Sequence, residues 1–404
     1  MTTRPIVIVG AGQAGLQVAE SLRSEGWDGD IILLGDEPHA PYHRPPLSKA
    51  YLLGEATAEQ LTMRSPEALA RKNISLRTGI SVDHIDRAGH ELHFSHGSSL
   101  PYHRLVLATG ARARSLPGAD LAGVFALRGF DDCRQIGAAL ETAENVVVIG
   151  GGFIGLEFAA VARKKGKSVT VLEAGERLMA RAVSPFISEW YAQLHASHGV
   201  RQCMPAQIVS FAGENGRIHA LNLADGTNIP ADLVVLGVGV IANDELAAAA
   251  GLPVERGIIV DACGRTADPA IFAAGDCTAT SLADGSLRRL ESVQNAVEQG
   301  KAVAAAVLGK EKPFVATPWF WSDQYDAKLQ MVGSSAGHDQ MVMRGKPEEG
   351  RFSAFYYRAG RLTGIDSINR PQDHMAGRKL LDRGLSPRPE EAADEYLPLN
   401  AMLV

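Results

Sequence analysis

The chain has 404 residues, of which 46% are hydrophobic, enough for two or three domains with buried cores. Its formal net charge of −6 provides no overall positive field, so we expect no nucleic-acid partner. The N-terminus lacks a signal-peptide pattern and no apolar run approaches the roughly 20 residues that span a bilayer, so we expect a cytoplasmic protein without membrane contact.

The first predicted element is a strand at residues 6–9 of the sequence IVIVGAGQAG, followed by a helical pattern. Gly10, Gly12 and Gly15 have the spacing Gly-x-Gly-x-x-Gly. The first glycine allows a tight turn, the second lets the backbone approach a pyrophosphate, and the third lets helix and strand pack closely. About 20 residues further on, a second strand ends at Asp36 and Glu37, either of which could bind a ribose. The pattern predicts a dinucleotide-binding unit.

The segment PYHRPPLSKAYLLG, residues 41–54, follows that second strand. Pro45 and Pro46 have restricted φ angles, so we predict a rigid turn that places Lys49 at the start of a helix. The alternative interpretation of Lys49 is an ordinary solvated lysine.

The four cysteines, at positions 133, 203, 263 and 277, form no Cys-x-x-Cys motif and have no neighbouring histidines at metal-ligand spacing. We expect ordinary reduced thiols and no metal site. Because residues 1–132 contain no cysteine, a redox-active disulfide close to the loop after the second strand is excluded.

Residues 146–155, VVVIGGGFIG, repeat the first pattern. Gly150, Gly152 and Gly155 form the second predicted cradle, and LVVLGVG at 233–239 echoes LVLATG at 105–110 as the strand that closes each unit. Two nucleotide-binding units in one chain are therefore predicted. The alternative is a duplicated fold that has lost one ligand.

An acidic residue, Glu173, ends the strand that follows the second cradle. A carboxylate in this position binds a ribose diol and repels a 2'-phosphate, which favours NAD over NADP. Arg177 and Arg181 lie just beyond it and act against this preference.

The segment IFAAGDCTAT, residues 271–280, predicts a strand that ends at Asp276 and returns the chain to the first unit. A long helix is predicted to begin near Ser292, with its positive N-terminus facing the cofactor. Asp276 suits the hydroxyls of a ribityl chain, or alternatively caps a turn or helix.

The chain resembles the FAD-dependent, NADH-linked ferredoxin reductases of bacterial oxygenase systems. The resemblance rests on GAGQAG, GDEPHAPYHRPPLSKAYL, LVLATG, GGGFIGLEFAA, LEAGER, GDC, ESVQNA and PWFWSDQY. It implies an α/β protein with two Rossmann-like dinucleotide-binding domains, as in glutathione reductase, and a C-terminal α+β domain. The expected boundaries are 1–113 and 242–313 for FAD, 114–241 for NAD, and 314–404 for the C-terminal interface domain.

The resemblance also implies that Lys49 pairs with Glu157 of the GLE motif beside flavin N5, as the catalytic pair. The residues predicted to contact FAD are Gly10, Gly12, Gly15, Asp36, Arg44, Lys49, Val82, Arg128, Asp276, Val293 and Trp319. Those predicted to contact NAD are Gly150, Gly152, Ile154, Gly155, Glu173, Arg181 and Gly239. We expect structural or surface roles for His43, His195 and His198.

Without a disulfide, two electrons from NADH must leave the flavin singly, and the expected acceptor is a [2Fe-2S] ferredoxin that serves a cytochrome P450 or an aromatic-ring dioxygenase. Trp319 or Trp321 is expected to shield the flavin, with plain interdomain packing as the alternative. Because ferredoxins are acidic, a basic docking rim is expected. Its candidates are Arg288, Arg289, Lys310, Lys312, Arg378 and Lys379, each of which could instead be an ordinary surface charge.

We expect a monomer or weak dimer. Two other functions stay open: a rubredoxin reductase, which shares this architecture, and a flavin-bearing interaction protein like the apoptosis-inducing factors.

Overall fold

The computed structural model describes residues 4–282, 284–315 and 317–403. The chain divides into two compact units. The first unit comprises Met1–His43, Thr57–Arg112 and Val240–Val315, and the second comprises Arg44–Ala56, Ala113–Gly239 and Ala316–Val404. The domain boundaries expected from the sequence stay a prediction.

The first unit is built on a five-stranded parallel sheet, whose order is Ile271–Ala273, Arg104–Leu107, Ile6–Val9, Ile31–Leu34, Ile74–Arg77. Ile6 and Ile8 belong to one buried hydrophobic cluster, whereas Val7 and Val9 belong to another. Successive side chains of a strand point to opposite faces, so both faces of the sheet are covered. This explains why the strands Ile6–Val9, Ile31–Leu34 and Ile271–Ala273 are apolar throughout.

Two long helices, Gln13–Ser24 and Val293–Val307, contribute to the first of these clusters. The second begins where the sequence predicts, because the side chain of Ser292 accepts a hydrogen bond from the backbone N–H of Asn295 at 3.1 Å and caps the helix. The other helices of the unit are Ala58–Leu61, Pro66–Arg71 and Glu245–Ala249. The other strands are Val82–Asp86, Glu91–Phe94, Ser99–Pro101, Val240–Ala242, Ile258–Val260, Thr278–Ser281 and Leu287–Arg288, and Ala111–Ala113 lies at the unit's edge.

The second unit contains its own five-stranded parallel sheet, whose order is Arg201–Cys203, Ser168–Leu172, Asn145–Ile149, Leu233–Leu236, Val124–Ala126. In both sheets the strand before the glycine motif is central. Within residues 113–239 of the second unit, the helices are Phe130–Thr142, Phe153–Lys164 and Pro185–Ser197. A separate antiparallel sheet there contains Ile208–Glu214, Arg217–Leu223 and Asn228–Pro230. The predicted proline turn is a 3-10 helix, Pro45–Ser48, followed by the short helix Ala50–Leu53.

The C-terminal part of the second unit is a five-stranded antiparallel sheet, whose order is Trp319–Gln324, Ala327–Gly333, Arg361–Ile368, Arg351–Arg358, Gln340–Lys346. Helices Pro371–Asp382 and Pro389–Ala393 and two 3-10 turns, Pro347–Glu349 and Leu399–Leu403, complete it. Phe355, Ile365 and Leu380 lie in its buried core. The predicted fold class, two parallel α/β units and a C-terminal α+β part, is confirmed.

All four cysteines are free thiols. Across the described segments, no three or more His, Cys, Asp or Glu side chains are placed to hold a metal ion. Within the same segments, none of the helices has the length and apolar character required to cross a bilayer.

Candidate active site

A cradle of three glycines follows the central strand of the first unit's parallel sheet. A side-chain carbon on Gly10 would lie 2.1 Å from the carbonyl oxygen of Ala108, and one on Gly15 would lie 1.9 Å from that of Gly10. The chain's own packing therefore requires these two glycines. At Gly12 a side-chain carbon would meet nothing within 4 Å, and its φ of −84° suits any residue. The space beside Gly12, at a helix N-terminus, fits the pyrophosphate of a dinucleotide.

The second unit repeats this cradle. A side-chain carbon on Gly150 would lie 2.4 Å from the carbonyl oxygen of Gly237, and one on Gly155 would lie 2.2 Å from that of Gly150. On Gly152 the nearest atom would be 3.9 Å away. Ile154, in the first turn of the following helix, is 41% exposed. This second helix N-terminus therefore also has room for a pyrophosphate.

The carboxylate of Glu173 is held by the glycine loop of the second cradle. One of its oxygens accepts the backbone N–H of Gly151 and the other accepts that of Gly175, both at 2.7 Å. A carboxylate has about four lone-pair sites, so each oxygen can still accept a hydrogen bond from a ribose hydroxyl. The sequence predicts the ribose role but not these two amide contacts, which fix the carboxylate beside the cradle.

The two arginines beyond Glu173 differ in what they contact. Arg177 donates to the backbone carbonyls of Ala180 and Val183 at 2.7 and 2.9 Å, so its guanidinium is committed to its own loop. Arg181 is exposed, and its Nη2 would lie 4.0 Å from a side-chain carbon on Gly239. The structure thus brings together two of the predicted NAD contacts, Arg181 and Gly239.

The sequence leaves open whether Asp36 or Glu37 binds the first ribose, and the structure separates them. Glu37 accepts a hydrogen bond from the phenol of Tyr42 at 2.5 Å. Asp36 is exposed and lies two residues beyond the end of its strand, so it is the better placed of the two for a ligand. Val82, another predicted FAD contact, is half-buried and packs against the unit's hydrophobic core.

The turn that contains Asp276 is tied to a long helix by a buried glutamine. Gln299 accepts the backbone N–H of Gly275 at 2.8 Å, and its amide group donates to the hydroxyl of Thr278 at 3.0 Å. Val293, another predicted FAD contact, is the first residue of the same helix. Gln299 therefore fixes the turn against the helix that begins at Val293. This role of Gln299 was not predicted from the sequence, although a glutamine in an alanine-rich helix was the available signal.

Besides Lys49, three of the predicted FAD contacts lie in the second unit: Arg44, Arg128 and Trp319. Arg44 donates to the backbone carbonyl of Arg128 at 3.0 Å, so these two are neighbours. The guanidinium of Arg378 lies 4.6 Å from the ring centroid of Trp319, a cation–π contact. The role of all three toward FAD stays a prediction.

A buried carboxylate, Glu157, is surrounded by donors from two other segments. Nζ of Lys49 lies 2.9 Å from its Oε1. The hydroxyl of Ser48 donates to Oε2 at 2.5 Å, and that of Ser322 donates to Oε1 at 2.6 Å. The side chains of Glu157 and Lys49 are only 4% and 17% exposed. The structure thus brings Lys49 and Glu157 together, and their role beside a flavin stays a prediction.

Burial and nearby donors have opposing effects on the pKa of Glu157. Burial raises this pKa, while the ammonium of Lys49 and the hydroxyls of Ser322 and Ser48 oppose the rise.

Both serines lie in motifs that carry the family resemblance. Their contact with Glu157 spans 109 and 165 positions of the chain, and nothing local in the sequence reports a pairing over such distances.

Comparison with known proteins decides the family. Residues 4–300 match the family described as pyridine nucleotide-disulphide oxidoreductase, and residues 319–403 match the one described as reductase C-terminal. The chain belongs to the pyridine nucleotide-disulphide oxidoreductase family. Its glycine cradles are those of an oxidoreductase that binds a pyridine nucleotide.

Within this family the chain is similar to several ferredoxin reductases. It is 46% identical to rhodocoxin reductase of Rhodococcus erythropolis over 96% of this chain and 92% of the relative. It matches the crystal structure of the ferredoxin reductase for the CYP199A2 system from Rhodopseudomonas palustris with a TM-score of 0.96 and 47% identity, over 100% of both chains. It also matches putidaredoxin reductase in a covalent complex with putidaredoxin, with a TM-score of 0.95 and 41% identity over 100% and 99% of the two chains. The resemblance stated from the sequence motifs is confirmed.

Replacing Glu173 with Gln is expected to lower the preference for NADH over NADPH by about tenfold or more. The substitution removes the negative charge that repels a 2'-phosphate and weakens a charge-assisted hydrogen bond, which contributes about 1.5–3 kcal/mol. The ratio of kcat/KM for the two nucleotides measures the effect. Glu176→Gln, an exposed carboxylate on the same loop, is the control. An unchanged ratio in Glu173→Gln would contradict the ribose role.

Proposed function

We propose that the chain is an FAD-dependent NADH:ferredoxin oxidoreductase. It takes reducing equivalents from NADH and passes single electrons to a [2Fe-2S] ferredoxin that serves a cytochrome P450 or an aromatic-ring dioxygenase. The similarity to rhodocoxin reductase and putidaredoxin reductase over nearly the whole chain supports this proposal. The proposed location is the cytoplasm, where NADH is supplied.

The observation that carries the proposal is the buried cluster of Lys49, Ser48 and Glu157. In related flavoenzymes that reduce disulfides, a redox-active thiol pair lies in this part of the sequence, whereas here the segment supplies a hydroxyl and an ammonium group to a carboxylate. All four cysteines are free thiols. Without a disulfide to take up an electron pair, the flavin's ability to release its electrons singly favours an external carrier of single electrons as the acceptor.

The chain's own residues place the two cofactors. The open helix N-termini beside Gly12 and Gly152 hold the pyrophosphates of FAD and NADH, and Glu173 holds the nicotinamide nucleotide's ribose. When bound, FAD supplies the chemistry, since it accepts a hydride and can release its electrons singly. Lys49 and Glu157, anchored to each other, are proposed to border the flavin's reactive edge and to fix the geometry of hydride transfer.

The basic candidates for ferredoxin docking are not equivalent. Lys310 and Lys312 both contact the carboxylate of Glu25, at 2.5 and 2.8 Å, so this single negative charge compensates half of their combined positive charge. Lys379 is exposed and the neighbouring Arg378 is half-buried against an aromatic ring. We therefore favour Arg378 and Lys379 for contact with an acidic partner.

Turnover with ferredoxin is expected to fall by roughly tenfold from low to high ionic strength, because salt screens the attraction between exposed opposite charges. The purified yellow protein is mixed with NADH and a panel of [2Fe-2S] ferredoxins, with a rubredoxin included, and reduction of each carrier is followed by its absorbance. The control is the rate of FAD reduction by NADH without any carrier. This rate should depend less on salt than turnover with ferredoxin does.

Reduction of a ferredoxin at a salt-dependent rate supports the proposal. Faster reduction of rubredoxin would favour the rubredoxin reductase alternative. A long-lived complex of reduced protein and nicotinamide that passes electrons to neither carrier would reject an electron-transfer function.

A further inference from the structure

A chain of hydrogen bonds leads from Glu157 into the C-terminal part of the second unit. The hydroxyl of Ser322 donates to Oε1 of Glu157 at 2.6 Å, and Nε2 of Gln324 lies 3.1 Å from that hydroxyl. Oε1 of Gln324 lies 2.8 Å from Nε2 of His195, whose Nδ1 is 3.4 Å from the hydroxyl of Tyr325. Glu157 is 4% exposed, and Ser322, Gln324 and His195 are fully buried. His195, for which a structural or surface role was expected, is therefore connected to the candidate active site.

The local structure explains why these side chains meet. Ser322 and Gln324 lie two residues apart in the strand Trp319–Gln324, so they point to the same face. The strand ends in a tight turn in which Tyr325 has a φ of +56°. This turn places the phenol ring 5.1 Å from the imidazole of His195.

The hydrogen bond to Glu157 sets the direction of the other bonds in the chain. The carboxylate oxygen Oε1 accepts the single hydroxyl proton of Ser322. The oxygen of Ser322 must then accept from the NH2 group of Gln324. The carbonyl end of that amide faces the imidazole, which must therefore carry its proton on Nε2 and accept from the phenol on Nδ1.

His195 is neutral in this arrangement. Burial lowers its pKa to about 4, and the nearby His198 acts in the same direction, whereas the hydrogen bond with Gln324 opposes the shift. A neutral imidazole has one donor and one acceptor nitrogen, so its tautomer is sensitive to which end of the amide faces it.

We propose that neutral His195 is a positioning residue that acts on Glu157 through Gln324 and Ser322. Its Nε2–H holds the oxygen of Gln324 and stops the amide from turning over. The NH2 group then stays on Ser322, whose hydroxyl stays committed to Glu157, and the carboxylate is fixed against Lys49. The proposal rests on the proposed function, in which Lys49 and Glu157 border the flavin.

The arrangement orients Glu157 and does not carry protons to the surface. A side-chain amide neither takes up nor releases a proton near neutral pH, so Gln324 interrupts any relay between Glu157 and Tyr325. His195 therefore affects the geometry of Glu157. A substitution of His195 should affect the flavin only through Ser322.

The first test reads the tautomer of His195 by nitrogen NMR in full-length, FAD-loaded protein labelled with 15N-histidine. The His195 signals are assigned by their loss in His195→Gln. We expect the Nε2–H form in the wild type, because the side-chain oxygen of Gln324 needs a donor at 2.8 Å. An Nδ1–H or doubly protonated His195 in the wild type overturns the proposal.

The second test compares His195→Leu with His195→Gln by stopped-flow reduction of bound FAD by NADH. Loss of the donor in His195→Leu is expected to slow reduction by about three- to tenfold, the effect of one neutral hydrogen bond. His195→Gln keeps a donor and should stay within about twofold of the wild type. His338→Leu, a half-buried histidine that contacts the carbonyl of Ser335, is the control.

Equal rates in His195→Leu and His195→Gln overturn the proposal. Thermal unfolding checks that each variant is folded, and Gln324→Met, which breaks the same chain of bonds, replaces His195→Leu if that variant does not fold. Ferredoxin reduction by the wild type is measured alongside. Its absence would reject the proposed function, whereas the tautomer is read without turnover and judges the role of His195 by itself.

Discussion

Lys49→Met is expected to slow the reduction of bound FAD by NADH by about a hundredfold, because a misplacement of about 1 Å at a reacting centre has an effect of that size. In the wild type the ammonium of Lys49 is 2.9 Å from Glu157. Its removal leaves a buried carboxylate without its cation, which costs about 3–5 kcal/mol unless the carboxylate takes up a proton or turns away. Either response changes the shape and charge of the proposed flavin edge.

Stopped-flow spectroscopy at several NADH concentrations separates the hydride-transfer step from NADH binding. FAD content is expected to stay near that of the wild type, because the pyrophosphate cradle is elsewhere in the chain. Lys72→Met, which removes an exposed lysine paired with Glu20, controls for the loss of a surface ion pair. If Lys49→Met reduced FAD as fast as the wild type does, Lys49 would be an ordinary structural lysine.

The two cradles could be predicted from the sequence because their cause is local. The close packing of Gly15 against Gly10 and the four-residue apolar strand before them involve residues a few positions apart, although Gly10 also lies against the more distant Ala108. The helix that begins after Ser292 likewise has a local cause, since a serine cap acts within one turn.

The contacts that complete the candidate site could not be predicted in this way. Ser48 and Ser322 reach Glu157 from distant parts of the chain, and serine is equally common in solvated turns. The amide contacts of Glu173 depend on a loop conformation that only the folded cradle creates. Family resemblance supplied the pairing of Lys49 with Glu157, whereas the residues around that pair became visible only in three dimensions.

The buried polar groups of the second unit also include a carboxylate without an obvious part in electron transfer. Asp366 lies in the strand Arg361–Ile368 and is 3% exposed. Its Oδ2 accepts the phenolic proton of Tyr356 at 2.7 Å, and the phenol oxygen lies 2.9 Å from the hydroxyl of Ser184. Burial raises the pKa of Asp366 from 3.8 to about 7, and the hydrogen bond from Tyr356 opposes this only in part.

Asp366→Asn is therefore expected to remove a pH dependence of stability amounting to about 4 kcal/mol. Between the unfolded pKa of 3.8 and the folded pKa of about 7, the native protein holds a proton that the unfolded chain has released. The free energy of unfolding of the wild type should thus be highest below that window and fall as the pH rises through it, by about 1.4 kcal/mol per unit. Asparagine does not titrate, so the variant lacks this fall and should be the more stable protein above pH 7.

Urea-unfolding midpoints of wild type and variant, measured across this pH range, give the comparison. Asp339→Asn changes an exposed carboxylate that accepts the backbone N–H of Ala359 in the same part of the chain, and its curve should run parallel to that of the wild type. Parallel curves for Asp366→Asn and the wild type would instead mean that Asp366 stays ionised in the folded protein. In that case Tyr356 and other nearby groups would have to stabilise the negative charge of Asp366, because burial by itself disfavours a charge.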